Sequence, residues 1–397
     1  MFRELLEKIP LYKELYGSLI NDIHTEEDLK ILPELTKEIM SKDFPNNWMT
    51  PSLKKAIEEK KYEFMTTSGT TAKRTQLIRP INWWQNEEER LFNHLNPKFP
   101  EYKNLESKAI LTTAICSNMI CYKETPAYEK RIINGILHLN ITEDPNTWTK
   151  EDLQRMVLEI DKFKPQCFQA DPIYLAIFFK LIKKHNIQLP NWTPKLLVLT
   201  YEFVPQKCKK IITRFWNIPT VILYGTTELG FLCHSDTKNN FIWMNEQNYL
   251  HLKPVDNDEN IYKIIVSSFR NPYMPFINYN TKDLVTVKTN TEKSILEFVG
   301  REQDITYSHT KKPVTLGKID NLLAKLDTNI LIYILDFSYP GKIIFKFTTF
   351  DDCELKNSQK IIFLLQDIYG DKINIELKPE KAIKPSFSGK FKLIIKE

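Results

Sequence analysis

From residue 108 to residue 228 the chain alternates short apolar runs with amphipathic helical stretches, and this alternation narrows the possible folds most. KAILTTAI reads as a strand, KEDLQRMVLEIDKF and PIYLAIFFKLIKKHNI as helices, KLLVLTYEFV as a short apolar run, QKCKKIITRFW as a helix and TVILYGTTE as a strand ending in a polar turn. Alternation with helices of this length calls for βαβ units and a largely parallel sheet. The text differs on either side. Residues 1 to about 60 carry short helical patterns broken by prolines, and residues 241–299 carry short strands and turns that predict an antiparallel subdomain. After GREQD at 300–304 the organisation restarts as helix, two strands, helix and strand. The expected fold class is α/β: a large N-terminal domain, residues 1–301, with mostly parallel sheets and an antiparallel subdomain, then a small C-terminal α+β domain, residues 302–397. A chain of 397 residues is long enough for two such cores.

Composition excludes several classes. Hydrophobic residues at 42% and charged residues at 26% exclude a disordered or fibrous chain. A net charge of +5 suits anionic small ligands but is too small for a nucleic-acid partner. Cys116, Cys121, Cys167, Cys208, Cys233 and Cys353 form no CxxC pair and read as free thiols of a reducing compartment. The N-terminus has no apolar core for a signal peptide, and no apolar run reaches membrane-spanning length. The expected location is cytoplasmic, with no membrane partner.

Glycine is scarce: 10 residues, where average usage would give about 28. Such a chain keeps glycine where the backbone needs a positive φ or a close approach. Four of the ten, Gly69, Gly225, Gly300 and Gly389, sit inside short polar motifs. The first is Thr66-Thr67-Ser68-Gly69-Thr70-Thr71-Ala72-Lys73, hydroxyls and backbone N–H groups suited to wrapping phosphate oxygens, although it is not a Walker P-loop. Tyr224-Gly225-Thr226-Thr227-Glu228 closes a buried strand, where ligands of parallel sheets bind, and offers hydroxyls to a phosphate and a carboxylate to Mg²⁺. In Asn278-Tyr279-Asn280-Thr281-Lys282-Asp283-Leu284, the aspartate at the start of an apolar strand could accept from both ribose hydroxyls. Gly300-Arg301-Glu302-Gln303-Asp304 and Ser388-Gly389-Lys390-Phe391 complete the series.

In order and spacing these five motifs resemble the adenylate-forming superfamily of acyl- and aryl-CoA ligases, peptide-synthetase adenylation domains and luciferase. MPFINYNTKDLVTV and FSGKFKLIIKE look most like the phenylacetate-CoA ligases and their capsule-locus relatives. The resemblance implies ATP-dependent activation of a carboxylic acid, aromatic or small, to an acyl-adenylate with release of pyrophosphate. Transfer to a thiol would follow, that of coenzyme A or of a carrier-protein phosphopantetheine. An amine acceptor and a degraded, scaffolding relative stay open as alternatives, and a homodimer is allowed.

Residue by residue, the resemblance implies that Thr66, Thr67, Ser68, Gly69, Thr70, Thr71 and Lys73 hold the β- and γ-phosphates. Tyr224, Gly225 and Thr226 would lie at the nucleotide, with Tyr224 beside the adenine. Thr227 would bond the α-phosphate and Glu228 would hold Mg²⁺. Asp283 would take the ribose, assisted by Arg301. Asp304 would be the hinge of a mobile C-terminal lid. Lys390 would bridge the α-phosphate and the attacking carboxylate.

The sequence departs from the family at Ala72, Arg74, Asn278 and Lys282, and at Ser308-His309-Thr310-Lys311, where relatives have an Arg-Gly hairpin beside the acceptor tunnel. A zinc site at Cys233, His234 and His251 is set aside because adjacent ligands rarely share one tetrahedral ion. Asp171 reads as a helix cap, and Trp83-Trp84 as packing.

Overall fold

The computed structural model describes residues 2–66, 75–95, 107–114, 126–236, 240–255, 258–290 and 293–396. The chain divides into two compact units.

The first unit comprises Met1–Pro97, Tyr224–His234 and Asn240–Phe298. It opens with short helices, Phe2–Lys8 and Pro10–Tyr16, the latter starting on a proline, whose missing N–H is not needed there. Its antiparallel strands lie in the order Asn248–Val255, Asp258–Ser268, Phe276–Asn290, Lys293–Arg301 as far as Phe298, Phe241–Trp243 and Gly230–Ser235 as far as His234, as the pattern at 241–299 predicts. Tyr12, Trp48, Phe276 and Tyr279 pack edge to face and tilted in the core that joins the helices to this sheet. Leu35 extends the sheet by a parallel bridge to Tyr279: its N–H donates to the Asn278 carbonyl at 2.9 Å, and its own carbonyl accepts from Asn280 N–H at 3.0 Å.

The second unit comprises Lys98–Leu223, Ser235–Asn239 and Val299–Glu397. Here strands Thr220–Thr226 as far as Leu223, Leu196–Leu199, Cys167–Ala170, Lys108–Leu111 and Ile136–His138 run parallel, with Ile132–Ile133 antiparallel at the edge. Cys167–Ala170 and Leu196–Leu199 are buried throughout; the second reads as an unbroken apolar run for that reason, whereas the first, interrupted by Gln169, gives no such signal. Helix Lys150–Phe163 starts on a Thr149–Asp152 capping box. Helix Pro172–Lys184 starts on Asp171, whose Oδ1 accepts from Ile173 N–H at 2.9 Å and Tyr174 N–H at 3.2 Å, the expected cap.

The same unit holds a four-stranded sheet ordered Asn374–Pro379, Lys342–Thr349, Ile330–Tyr339 and Ile394–Ile395, with helices Leu316–Lys325 and Ser358–Tyr369. The last strand, which the sequence pattern missed, returns the chain end parallel to Ile330–Tyr339. Phe178, Phe179 and Trp216 share one apolar core with Ile319, Tyr333 and Phe345. Polar ties accompany it. Lys180 Nζ donates to the Thr349 carbonyl at 2.7 Å and pairs with Asp352 at 2.6 Å, and Asp320 accepts from Gln206 N–H at 2.8 Å. Among the described residues no helix is long and apolar enough to cross a membrane. Cys167, Cys208 and Cys233 are buried free thiols and Cys353 an exposed one, while Cys116 and Cys121 lie outside the described residues.

Candidate active site

The nominated residues fall in both units: Thr66, Tyr224, Gly225, Thr226, Thr227, Glu228 and Asp283 in the first, Arg301, Asp304 and Lys390 in the second. Thr67, Ser68, Gly69, Thr70, Thr71 and Lys73 lie outside the described residues, as do Ala72 and Arg74. Thr66 ends strand Tyr62–Thr66 opposite Gln76 of the antiparallel strand Gln76–Pro80.

In the first unit the YGTTE motif is a tight turn that only glycine can make. A Cβ on Gly225 would sit 2.3 Å from the Gly230 carbonyl oxygen. Thr226 Oγ1 accepts from Leu229 N–H at 3.1 Å and closes the turn. Thr227 is half-buried beside it. Glu228 is 5% exposed, so its charge needs partners inside the protein. Lys37 Nζ lies 2.7 Å from Oε1, and the Tyr279 hydroxyl donates to the same oxygen at 3.1 Å. Burial alone would raise the Glu228 carboxyl. The Lys37 ammonium, the residue's own N–H and Tyr279 together hold it below the ordinary carboxylate value.

Asp283 reaches the site by a bulge. Across strands Asp258–Ser268 and Phe276–Asn290 the pairing passes from Lys263↔Leu284 to Ile265↔Asn280, so the three residues 281–283 stand opposite the single residue Ile264. Such bulges re-aim a side chain. Lys282 takes φ +66°, where the resembling family has glycine, and its N–H is held by Asn280 Oδ1 at 2.8 Å. Asp283 is thus not at the start of a strand, as its context predicts, but inside a long one that bulges. Tyr224, 59 residues away in sequence, donates its hydroxyl to Asp283 Oδ2 at 2.9 Å. Burial, then Asp283, raises the Tyr224 phenol well above its usual value, so it stays a donor. The Tyr224 ring rests against Phe298, centroids 4.1 Å apart.

In the second unit the SGKF loop is seated at the carboxyl ends of the parallel strands, where ligands of such sheets bind. Gly389 has φ +78°, and a Cβ there would lie 2.2 Å from Thr113 Oγ1. The Tyr174 hydroxyl donates to the Gly389 carbonyl at 3.0 Å, and Phe391 N–H to Glu202 Oε1 at 2.8 Å. Lys390 thereby acts on two acids, Asp171 and Glu202. Burial pushes Asp171 up to about 7, partly offset by its two N–H donors and by Lys390. Burial and then Asp171 push Glu202 well up too, against the pull of Lys390. Arg301 ends strand Lys293–Arg301 and leads into the turn Glu302–Asp304. Burial raises the Asp304 carboxyl, with Arg301 and Lys396 opposing. The residues Ser308-His309-Thr310-Lys311 join strands Thr306–Tyr307 and Pro313–Val314 as a hairpin, and Lys311 takes φ +61° there without a glycine.

Sequence reading missed Lys37, the pairing of Tyr279 with Glu228, and Glu202. Tyr279 stood inside a quoted motif, whereas Lys37 and Glu202 carry no local signal.

The fold is that of the adenylate-forming ligases. The whole chain matches 87% of 2-hydroxyisobutyryl-CoA ligase in the postadenylation state in complex with R3-HIB-AMP, at a TM-score of 0.72 and 11% identity. Anthranilate CoA ligase AuaEII in complex with anthranoyl-AMP matches 83% of this chain with 65% of its own, at a TM-score of 0.56 and 13% identity. Amide bond synthetase McbA from Marinactinospora thermotolerans matches 82% with 66% of its own, at 0.55 and 10% identity. At these identities the likeness is one of fold. No protein-family model and no curated protein matches the sequence.

The fold family implies a magnesium ion at Glu228. Mg²⁺ demands short, near-octahedral oxygen contacts, whereas Oε1 of this buried carboxylate already holds an ammonium and a phenol. Among the described residues no group of three or more His, Cys, Asp or Glu is placed to hold a metal, the zinc trio included. Glu228 so arranged does not fit direct ligation of a dication through Oε1.

Proposed function

We propose that this chain activates a carboxylic acid with ATP, forming an acyl-adenylate and releasing pyrophosphate, and then passes the acyl group to the thiol of coenzyme A or of a carrier-protein phosphopantetheine. The reading within the class is a phenylacetate-CoA ligase-like enzyme acting on an aromatic or small organic acid. The observation that carries it is the meeting of Tyr224 and Asp283, two motif residues 59 apart in sequence, at a bulge that lifts the aspartate out of its ladder.

On this reading Asp283 accepts from the ribose hydroxyls while Tyr224 fixes its second oxygen. Thr66 begins the phosphate loop, Thr227 takes the α-phosphate, and Arg301 assists. Lys390 brings positive charge to the phosphorus centre where two anions meet, which together with positioning supplies most of such catalysis. No covalent nucleophile is required. Magnesium accompanies ATP as the counter-ion of its triphosphate. Rotation of residues 302–397 about Asp304 belongs to the same proposal, and it would have to part Lys180 from Thr349 and Asp320 from Gln206.

ATP–pyrophosphate exchange over a panel of carboxylic acids tests the reading, followed by product analysis with coenzyme A, a carrier protein and amines. Exchange with at least one acid is expected. No exchange together with no ATP binding by calorimetry would hand the chain to the scaffold reading.

A further inference from the structure

We infer that Lys37 supplies at Glu228 the positive charge that the family resemblance assigns to magnesium, and that Glu228 is a positioning residue bonded to Lys37 and Tyr279 and not a metal ligand. The inference rests on the adenylation reading only for its place beside the nucleotide. The geometry is set by the fold alone. The two backbone bonds of Leu35 tie residues 35–37 to the strand that carries Tyr279. The side chain of Asn278 donates to the Leu32 carbonyl at 2.5 Å, and that of Asn280 to Glu34 Oε2 at 2.9 Å, so the segment is also pinned at Leu32 and Glu34, just ahead of Leu35. Asn278 is thereby accounted for: where relatives have an arginine, this chain has an amide that anchors the segment leading to Lys37.

Charge and access agree. Glu228 and Lys37 are neutral as a pair, and Tyr279, 1% exposed, adds a hydrogen bond without charge. A dication sharing Oε1 would stand beside the ammonium and be repelled by it. The Lys37 side chain is 29% exposed against 4% for Glu228. An ammonium has three N–H donors, so Lys37 can hold the acid and still present donors to an anionic ligand. A positive charge fixed by the chain needs no metal to arrive before that ligand does.

The test uses Mn²⁺, read by electron paramagnetic resonance, with the full chain alone and with α,β-methylene-ATP, in wild type, Glu228→Gln, Lys37→Met and the double variant. Glu228→Gln is expected to leave Mn²⁺ affinity within about twofold of wild type. Lys37→Met should gain a site with roughly tenfold tighter Mn²⁺ binding, and the double variant should lose that gain. Melting gives a second readout: Mn²⁺ should raise the midpoint of Lys37→Met and not that of wild type, and Lys37→Arg should restore wild-type behaviour. A loss of tenfold or more in Mn²⁺ affinity from Glu228→Gln alone would overturn the inference, as would no gain in folded Lys37→Met. Should Lys37→Met not fold even with Mn²⁺, the comparison of Glu228→Gln with wild type decides. Should the nucleotide analogue bind no variant, the adenylation reading fails, and the arms with the metal alone still decide the role of Lys37.

Discussion

Each unit buries acid beside a lysine, yet the two clusters hold their protons in opposite ways. In the first, one carboxylate meets one ammonium at 2.7 Å, and Glu228 is held below its ordinary range. In the second, Asp171 and Glu202 share Lys390 at longer range, and burial carries both upward. For these acids the cation in direct contact outweighs desolvation and the more distant one does not. The consequences for stability are opposite too. Glu228 contributes stability above its ordinary value of 4.5 that is lost as pH falls through its lowered one. Asp171 is fully stabilising below its ordinary 3.8, and its contribution fades as pH rises toward about 7.

The strongest way to break the comparison is to remove the cation shared by two acids. Lys390→Ala should depress pyrophosphate exchange by roughly a hundred- to a thousandfold, the loss of a preorganised charge of about 3–4 kcal/mol. Exchange within tenfold of wild type would remove Lys390 from the chemistry. Next, Asp283→Ala should weaken ATP binding by about ten- to a hundredfold, since hydrogen bonds to charged groups contribute roughly 1.5–3 kcal/mol. Calorimetry reads this directly, and unchanged affinity would mean that the bulged aspartate does not meet the ribose.

Gly389→Ala forces a methyl into Thr113 at a positive φ and should destabilise the chain by about 1–3 kcal/mol, measured by denaturant unfolding. A neutral result would mean that the loop bearing Lys390 is not seated against Thr113. Asp171→Asn keeps a cap acceptor and removes the titrating group. It should raise stability at pH 8 by about 1–2 kcal/mol and by little at pH 4, and an equal change at both pH values would refute the raised carboxyl. The smallest effect belongs to Lys282→Gly. It relieves a left-handed lysine at the bulge and should raise the unfolding free energy, measured by denaturant, by well under about 1 kcal/mol.

Local chemistry was legible in the sequence wherever one segment decided it. The parallel strands Lys108–Leu111, Leu196–Leu199 and Thr220–Thr226 were readable as apolar runs, while Ile136–His138 and Cys167–Ala170 were not, and the Asp171 cap was readable because its partners are two and three residues away. The bulge was not readable. Lys282 looked like a departure from a glycine position, and only the backbone shows that the positive φ survives with lysine in it. Lys37 and Glu202 were invisible for a different reason: each acts on a residue nearly two hundred positions away.

The sequence by itself determined the layers of the fold, the order of the motifs and the chemistry that those residue types can perform, because periodicity, capping and turn-making depend on neighbours in the chain. The tertiary structure alone decided which acid keeps its charge. Proton affinity depends on what surrounds the group in space, and for Glu228 that is a contacting lysine from the first helical segments, whereas for Asp171 it is burial, only partly offset by two backbone N–H groups and a lysine from near the chain's end.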